Sequence, residues 1–255
     1  MQHLFSSQGQ LALDAAMRLE PLLAFDFDGT LAPIVAHPDD ARVPADVARQ
    51  LGQLATQLPT AIVTGRSVGD VTPRLGFTPH YVVGNHGAEE IGGHVFIPPE
   101  AQLAMDGLRD HIAARRAWLD EAEVMLEDKR HSLALHYRLA RSQARAVSTI
   151  QELLHELDPS LRCFGGKFVV NVVAAQAPDK ADALFSLVLR SGAGSAVFVG
   201  DDVNDEAVFA RALPHWLTVR VGRDDPNSRA RFFLDDPAEM GPVLGKMLMA
   251  LGGAR

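Results

Sequence analysis

Short runs that are mostly apolar limit this chain more than any other feature. Residues 22–25, 60–63, 81–83, 195–199 and 216–221 form such runs, and turn or polar residues end them. A strand with one wet face alternates apolar and polar residues, whereas a short run that is apolar throughout suits a strand covered on both sides. Segments of helical period lie between the runs, at about 44–58, 67–75, 178–190 and 204–212. Strands buried on both faces and joined by helices predict an α/β fold with a doubly wound, mainly parallel sheet.

Residues 98–175 follow a different pattern. A helix at about 99–118 leads to a strand near 123–127 and another over 132–138, where Leu133, Leu135 and Tyr137 alternate with Ala134, His136 and Arg138. That alternation marks a half-buried antiparallel strand. A second helix at 142–157 is followed by a strand at 161–164, a Gly165-Gly166 turn and a strand at 167–173. The pattern predicts a small α+β module inserted between two core segments, 1–97 and 176–255.

The net charge of −8 argues against a broad basic face for nucleic acid. The single cysteine, Cys163, excludes an internal disulfide and reads as a small core residue of a strand. No Cys/His cluster has zinc-ligand spacing, so oxygen atoms should hold any metal. Residues 1–20 lack a basic stretch followed by an apolar one, and no run reaches the ~18 apolar residues of a membrane span. A cytoplasmic monomer that binds no membrane is expected. Trp118 and Trp216 read as packing residues.

The run at 22–25 ends in Asp26-Phe27-Asp28-Gly29-Thr30. Ligands of open parallel sheets bind beyond the carboxyl ends of strands. Two carboxylates this close repel, so they call for a shared proton or a hard divalent cation such as Mg²⁺. The plainer alternative is an Asp-Gly turn with its acids in solvent. A calcium loop does not fit, because glycine stands fourth instead of sixth and no glutamate stands twelfth.

Three further strand or helix ends carry polar groups of the same kind. Thr64, in Thr64-Gly65-Arg66, can donate to a phosphate oxygen or serve as a turn threonine; Ser67 to Asp70 resembles a helix N-cap box. Pro178 suits a first helical position and puts Lys180 in the first turn, where a lysine opposes the helix dipole. Lys180 is thus placed for an anion, or else is a solvated surface lysine. In Gly200-Asp201-Asp202, Asp202 suits an N-cap, Asp201 stays at the strand end, and Asp205 can turn toward the same place.

In this order, Asp26-Phe27-Asp28-Gly29-Thr30, Thr64-Gly65-Arg66, Lys180 and Gly200-Asp201-Asp202 with Asp205 resemble the motifs of the haloacid dehalogenase superfamily of phosphotransferases. The resemblance implies a Rossmann-like core with a cap inserted between Thr64 and Lys180. It implies Asp26 as nucleophile and Asp28 as general acid and then base. Mg²⁺ would be held by Asp26, the Asp28 backbone carbonyl and Asp201, with Asp205 orienting a metal-bound water. Thr64, Gly65 and Lys180 would bind the phosphoryl oxygens.

A closer resemblance, to the trehalose-6-phosphate phosphatases, rests on Gly84-Asn85-His86-Gly87-Ala88-Glu89, Leu126-Glu127-Asp128-Lys129, Leu135-His136-Tyr137-Arg138 and Gly166-Lys167. It implies a C2B-type α+β cap and trehalose 6-phosphate as substrate. Glu127, Lys129, Arg138, Lys167 and Asn171 would contact the sugar, with Arg66, Asn85 and His86 also on the substrate side. Lys167 and Asn171 are expected on one face of a strand. That family usually carries glutamate at the place of Asn171 and glycine at that of Ala181. The alternatives are a phosphatase for sucrose phosphate or a glycosyl-phosphoglycerate, a phosphomutase, and a phospho-acceptor switch without turnover.

Overall fold

The computed structural model describes residues 1–35, 37–90, 98–223 and 225–252. They fall into two compact units, one within Met1–Gly93 and Pro178–Arg255, the other within His94–Ala177. The expected first boundary, at 97, lies outside the described residues.

The first unit is built on strands β1 (Gln2–His3), β2 (Leu22–Phe25), β3 (Thr60–Val63), β4 (Tyr81–Gly84), β5 (Glu89–Glu90), β10 (Ala196–Gly200), β11 (Leu217–Val221) and β12 (Phe232–Leu234). Their order across the sheet is β1-β12-β11-β10-β2-β3-β4-β5, parallel except for the β4–β5 pair. The chain runs outward through β3 and β4 on one side of β2 and through β11 and β12 on the other side of β10. The β2/β10 junction is therefore the switch point at which an open α/β sheet leaves a crevice.

Alternation along the strands explains why both faces are apolar. Leu23, Phe25, Ile62, Val82, Val197 and Val199 join one buried cluster, shared with helices α1 (Ser7–Met17), α2 (Ala45–Ala55) and α9 (Met240–Gly252). Their neighbours Leu22, Ala24, Ala61, Val63, Val83, Ala196 and Phe198 join another, shared with α7 (Lys180–Ser191) and α8 (Glu206–Arg211). In α2 the stripe Val47, Ala48, Leu51 and Leu54 is buried, the spacing of one helix face.

Helix bounds differ from expectation where caps compete. Asp179 is the N-cap of α7, accepting the Asp182 N–H while Asp182 accepts the Asp179 N–H, so Lys180, not Pro178, opens the helix. The helix expected over 67–75 is one turn, α3 (Val68–Val71), continued by a 3₁₀ turn at Thr72–Arg74 that contains Pro73.

The second unit is an antiparallel sheet in the order β6-β7-β9-β8, from β6 (Met125–Asp128), β7 (Ser132–His136), β8 (Leu161–Gly166) and β9 (Val169–Ala174). Helices α4 (Pro99–Ala114), α5 (Arg116–Glu121) and α6 (Gln143–Leu153) supply Met105, Leu108, Ile112, Leu119 and Ile150 to a cluster with Leu133, Leu135, Leu161 and Val172. The helix expected over 99–118 is broken at Arg115, which leaves the helical region at φ −112° and ψ 16°.

Two expectations here are corrected. Gly165 and Gly166 do not turn: they pair with Val170 and Val169 within the ladder, and Lys167-Phe168 makes the two-residue loop, Phe168 at φ +63°. Lys167 consequently lies in the loop, and strand alternation does not relate it to Asn171. Cys163 is exposed, because β8 is an edge strand and the helical cover that reaches Leu161 does not include Cys163.

Candidate active site

Asp26 leaves β2 beside β10, with its N–H bonded to the Val199 carbonyl at 2.9 Å. The chain then doubles back: the Phe27 carbonyl accepts the N–H groups of Thr30, Leu31 and Ala32, and Gly29 takes φ +76°. A side chain at Gly29 would meet Asp201 Oδ2 at 2.1 Å, so only glycine permits this approach of the turn to the end of β10.

Four charged groups converge there. Asp26, Lys180, Asp201 and Asp205 are all buried. Lys180 Nζ lies 2.7 Å from Asp205 Oδ1 and 3.1 Å from Asp26 Oδ1. Asp26 Oδ1 also accepts the Phe27 N–H at 2.7 Å. Both contacts fall on Oδ1, so among the described residues Oδ2 carries none. Burial pushes the Asp26 carboxyl well above the ordinary range; Lys180 pulls it down, while Asp205 and Asp201 push it further up. Burial alone would lower the ammonium of Lys180, but Asp205 and Asp26 outweigh it and keep that group charged.

Oxygen atoms of Asp26, Asp201 and Asp205 lie within 4.8 Å of one another, an all-carboxylate set that fits a hard divalent cation such as Mg²⁺. Asp205 is the least available of the three, because Oδ1 receives Lys180 and Oδ2 receives the Asp202 N–H at 2.9 Å. Asp202 caps the following turn, as expected.

Thr64 sits just beyond β3, buried, and its hydroxyl oxygen accepts the Arg66 N–H at 3.2 Å, which leaves the hydroxyl proton to donate. Gly65 keeps room for the His86 ring, which a Cβ there would meet at 2.4 Å. Asn85 and His86 both take left-handed backbone, φ +49° and +58°, held by N–H bonds to the carbonyls of Arg66 and Thr64. Such paired outliers persist only where surrounding bonds impose them. Glu89 does this work: its Oε2 accepts from Asn85 Nδ2 at 2.6 Å and from the Val68 N–H at 3.1 Å.

Arg66, expected on the substrate side, binds Asp28 and Asp70. Its Nε and Nη2 fork onto the Asp28 carboxylate at 2.7 and 2.8 Å, Nη1 reaches Asp70 at 2.7 Å, and Nη2 also reaches the Pro38 carbonyl at 2.9 Å. Asp70 turns to Arg66 and Arg74 while its N–H donates to the Ser67 hydroxyl oxygen. Sequence reading missed Asp70 and Arg74 as partners of this site, although Arg66, Asp70 and Arg74 recur at i, i+4 spacing.

In the second unit, Glu127, Ala134, Asn171 and Phe164 stand abreast across β6, β7, β9 and β8. Leu126, Leu133, Leu135 and Val172 alternate with them and belong to the apolar cluster shared with the helices, so this row occupies the opposite face. Glu127 lies 2.8 Å from His136 Nε2 and 3.6 Å from Lys129 Nζ. The Arg138 guanidinium stands over the Phe168 ring at 5.9 Å. Asn171 is buried, and among the described residues its Nδ2 has no hydrogen-bond partner.

The trehalose-phosphatase family model matches residues 24–238. A trehalose-phosphate phosphatase of Mycobacterium ulcerans is 31% identical over 250 residues, covering 91% of this chain and 62% of that protein. The chain thus spans about three-fifths of the length of the curated relatives it matches. Among solved structures, the C-terminal domain of the C. albicans trehalose-6-phosphate phosphatase superposes with a TM-score of 0.78 at 21% identity, covering 93% of this chain and 95% of that one. A haloacid dehalogenase-like hydrolase from Bacteroides thetaiotaomicron gives 0.64 at 14% identity, covering 90% and 99%. The fold is the mostly parallel α/β fold of the haloacid dehalogenase superfamily, and the chain belongs to the trehalose-phosphatase family.

Proposed function

We propose that this chain is a magnesium-dependent phosphatase that hydrolyses trehalose 6-phosphate to trehalose and inorganic phosphate. The observation that carries the reading is the buried Asp26 carboxylate, with both contacts on Oδ1, standing between Lys180 and Asp201 at the switch point of the sheet. Asp26 attacks phosphorus, the bond from phosphorus to the sugar oxygen breaks, and the Asp28 carboxyl gives its proton to that oxygen. Asp28 then takes a proton from water as the water oxygen attacks phosphorus. The Asp26–phosphorus bond breaks and phosphate leaves. Thr64, the Gly65 backbone and Lys180 hold the phosphoryl oxygens as charge spreads over them.

Mg²⁺ would be held by Asp26, Asp201 and the Asp28 backbone carbonyl, and supplies positive charge that lets an anionic nucleophile meet an anionic ester. Asp205 holds Lys180 and the turn at Asp202, and would orient a water on the ion. The sugar is recognised by Glu127, Lys129, Arg138, Lys167 and Asn171, with Asn85 and His86 at the rim. Arg66 contributes through Asp28. No helix among the described residues is long and apolar enough to cross a membrane, and a cytoplasmic monomer completes the reading.

The test is phosphate release from trehalose 6-phosphate beside sucrose 6-phosphate, glucose 6-phosphate and a glycosyl-phosphoglycerate. The expected result is a clear preference in kcat/KM for trehalose 6-phosphate. Preference for another ester would discard the substrate and direct attention to Asn171, where the family usually carries glutamate.

A further inference from the structure

Asp28 and Arg66 are the inner end of a longer row of charges. Arg66 Nη1, the nitrogen not used on Asp28, donates to Asp70 Oδ2 at 2.7 Å. The other oxygen of Asp70 receives Arg74, whose Nε also reaches the Asp70 carbonyl at 2.9 Å. Arg74 Nη1 donates to the Asp39 carbonyl at 2.6 Å and Nη2 to Asp39 Oδ1 at 3.0 Å. Acid and base alternate from Asp28 through Arg66, Asp70 and Arg74 to Asp39. The Arg66 and Arg74 side chains are only 10% and 9% exposed, while the Asp39 side chain is 94% exposed.

A guanidinium is a planar fork, and where water is scarce its orientation follows from what each edge binds. Asp28 takes one edge of Arg66, and Asp70 fixes the corner beyond it. Without Asp70, Nη1 would lose its acceptor in a nearly dry setting and Arg74 would lose its nearest counter-charge, so the fork on Asp28 would turn. Ion pairs of this kind add little to stability when exposed and can be replaced by apolar packing when buried. A row that ends on a carboxylate with a proton to move is better accounted for by the placement it enforces.

We propose that Asp70 and Arg74 are positioning residues, which hold the Arg66 fork and so set where the Asp28 carboxyl stands as the leaving group departs. The proposal rests on the phosphatase reading, in which Asp28 is the general acid. It predicts a dependence on the leaving group. A sugar alkoxide must be protonated as it leaves, whereas p-nitrophenolate leaves unaided.

The experiment measures kcat and KM of Asp70→Asn, Arg74→Met and Arg74→Lys on p-nitrophenyl phosphate and on the sugar 6-phosphate that the wild-type protein turns over fastest. For Asp70→Asn and Arg74→Met, kcat/KM, which covers steps only through departure of the leaving group, should fall by about 10- to 100-fold on the sugar ester, part of the full general-acid effect, and by less than about threefold on the aryl ester; kcat on the aryl ester should fall further than its kcat/KM, because the later water step uses Asp28 as base. Arg74→Lys should keep most of the sugar-ester rate. Aryl-ester turnover reports that the variant is folded. In an Asp28→Asn background, Asp70→Asn should cost nothing further on the sugar ester, because both act on one function. Equal losses of kcat/KM on both esters, or losses that add to that of Asp28→Asn, would overturn the proposal. A wild-type protein that turns over neither ester would overturn the phosphatase reading itself and take the proposal with it.

Discussion

Lys180 Nζ donates to Asp205 Oδ1 at 2.7 Å, and the two side chains are 1% and 0% exposed. A lysine in the first turn of a helix opposes the helix dipole, and burying its charge adds a desolvation cost. The acid that offsets both comes from the turn after β10, so one ion pair ties the start of α7 to the end of the strand that carries Asp201. The same ammonium reaches Asp26 at 3.1 Å, which places it beside the proposed nucleophile.

Lys180→Met should therefore abolish turnover and destabilise the protein by about 3–5 kcal/mol, since it leaves buried carboxylates without their counter-charge. Adding Asp205→Asn should recover part of the stability and none of the activity. Urea unfolding checks this; a Lys180→Met protein as stable as the wild type would contradict it.

Asp201 and Asp205 should part company in a magnesium titration. Asp201→Asn removes a proposed ligand, so its activity should return in part as Mg²⁺ is raised. Asp205→Asn frees Lys180 and the Asp202 turn, a defect that added Mg²⁺ does not repair. Equal rescue of both variants would assign Asp205 to the metal.

Gly29→Ala would place a methyl group against Asp201 at a left-handed φ of +76°. Turnover should be lost while far-UV circular dichroism stays unchanged. Gly107, within α4 with none of the described residues within 4 Å of an added Cβ, is the control: Gly107→Ala should stabilise by about 0.5–1 kcal/mol. Full activity in Gly29→Ala would show that the close approach to Asp201 is dispensable.

Burial alone would raise the Asp70 carboxyl, but hydrogen bonds from Arg74 and Arg66 outweigh it and hold the group below the usual range. A carboxylate depressed on folding contributes stability above its unfolded value of about 3.9 and gives it up as pH falls through the folded value. Asp70→Asn should thus be less stable than wild type near neutral pH, with the gap closing below about pH 4. A gap constant from neutral pH to pH 2 would contradict the assignment.

The central strands were legible because double burial leaves a run with hardly a polar position, as in Leu22–Phe25. The short strands β1, β5 and β12, of two or three residues, carry no such pattern. Asp26, Lys180, Asp201 and Asp205 were legible because each stands where a strand or helix begins or ends. Arg66 shows the limit: its neighbours in sequence do not reveal that a long side chain reaches back to Asp28, although the Asp70 and Arg74 spacing was available. Gly165-Gly166 misled for a different reason, since a two-residue hairpin loop is fixed by strand register, and here that register puts the loop at Lys167-Phe168.

The most direct test of catalysis at Asp26 is the number of phosphate molecules released per protein molecule from trehalose 6-phosphate, with Mg²⁺, for wild type and Asp26→Asn. Many equivalents from the wild type, none from Asp26→Asn and none after chelation are expected. No phosphate released while trehalose stops at one equivalent, as in a phospho-acceptor switch that keeps its aspartyl-phosphate, or phosphate release that continues in Asp26→Asn, would contradict a turnover mechanism through this carboxylate.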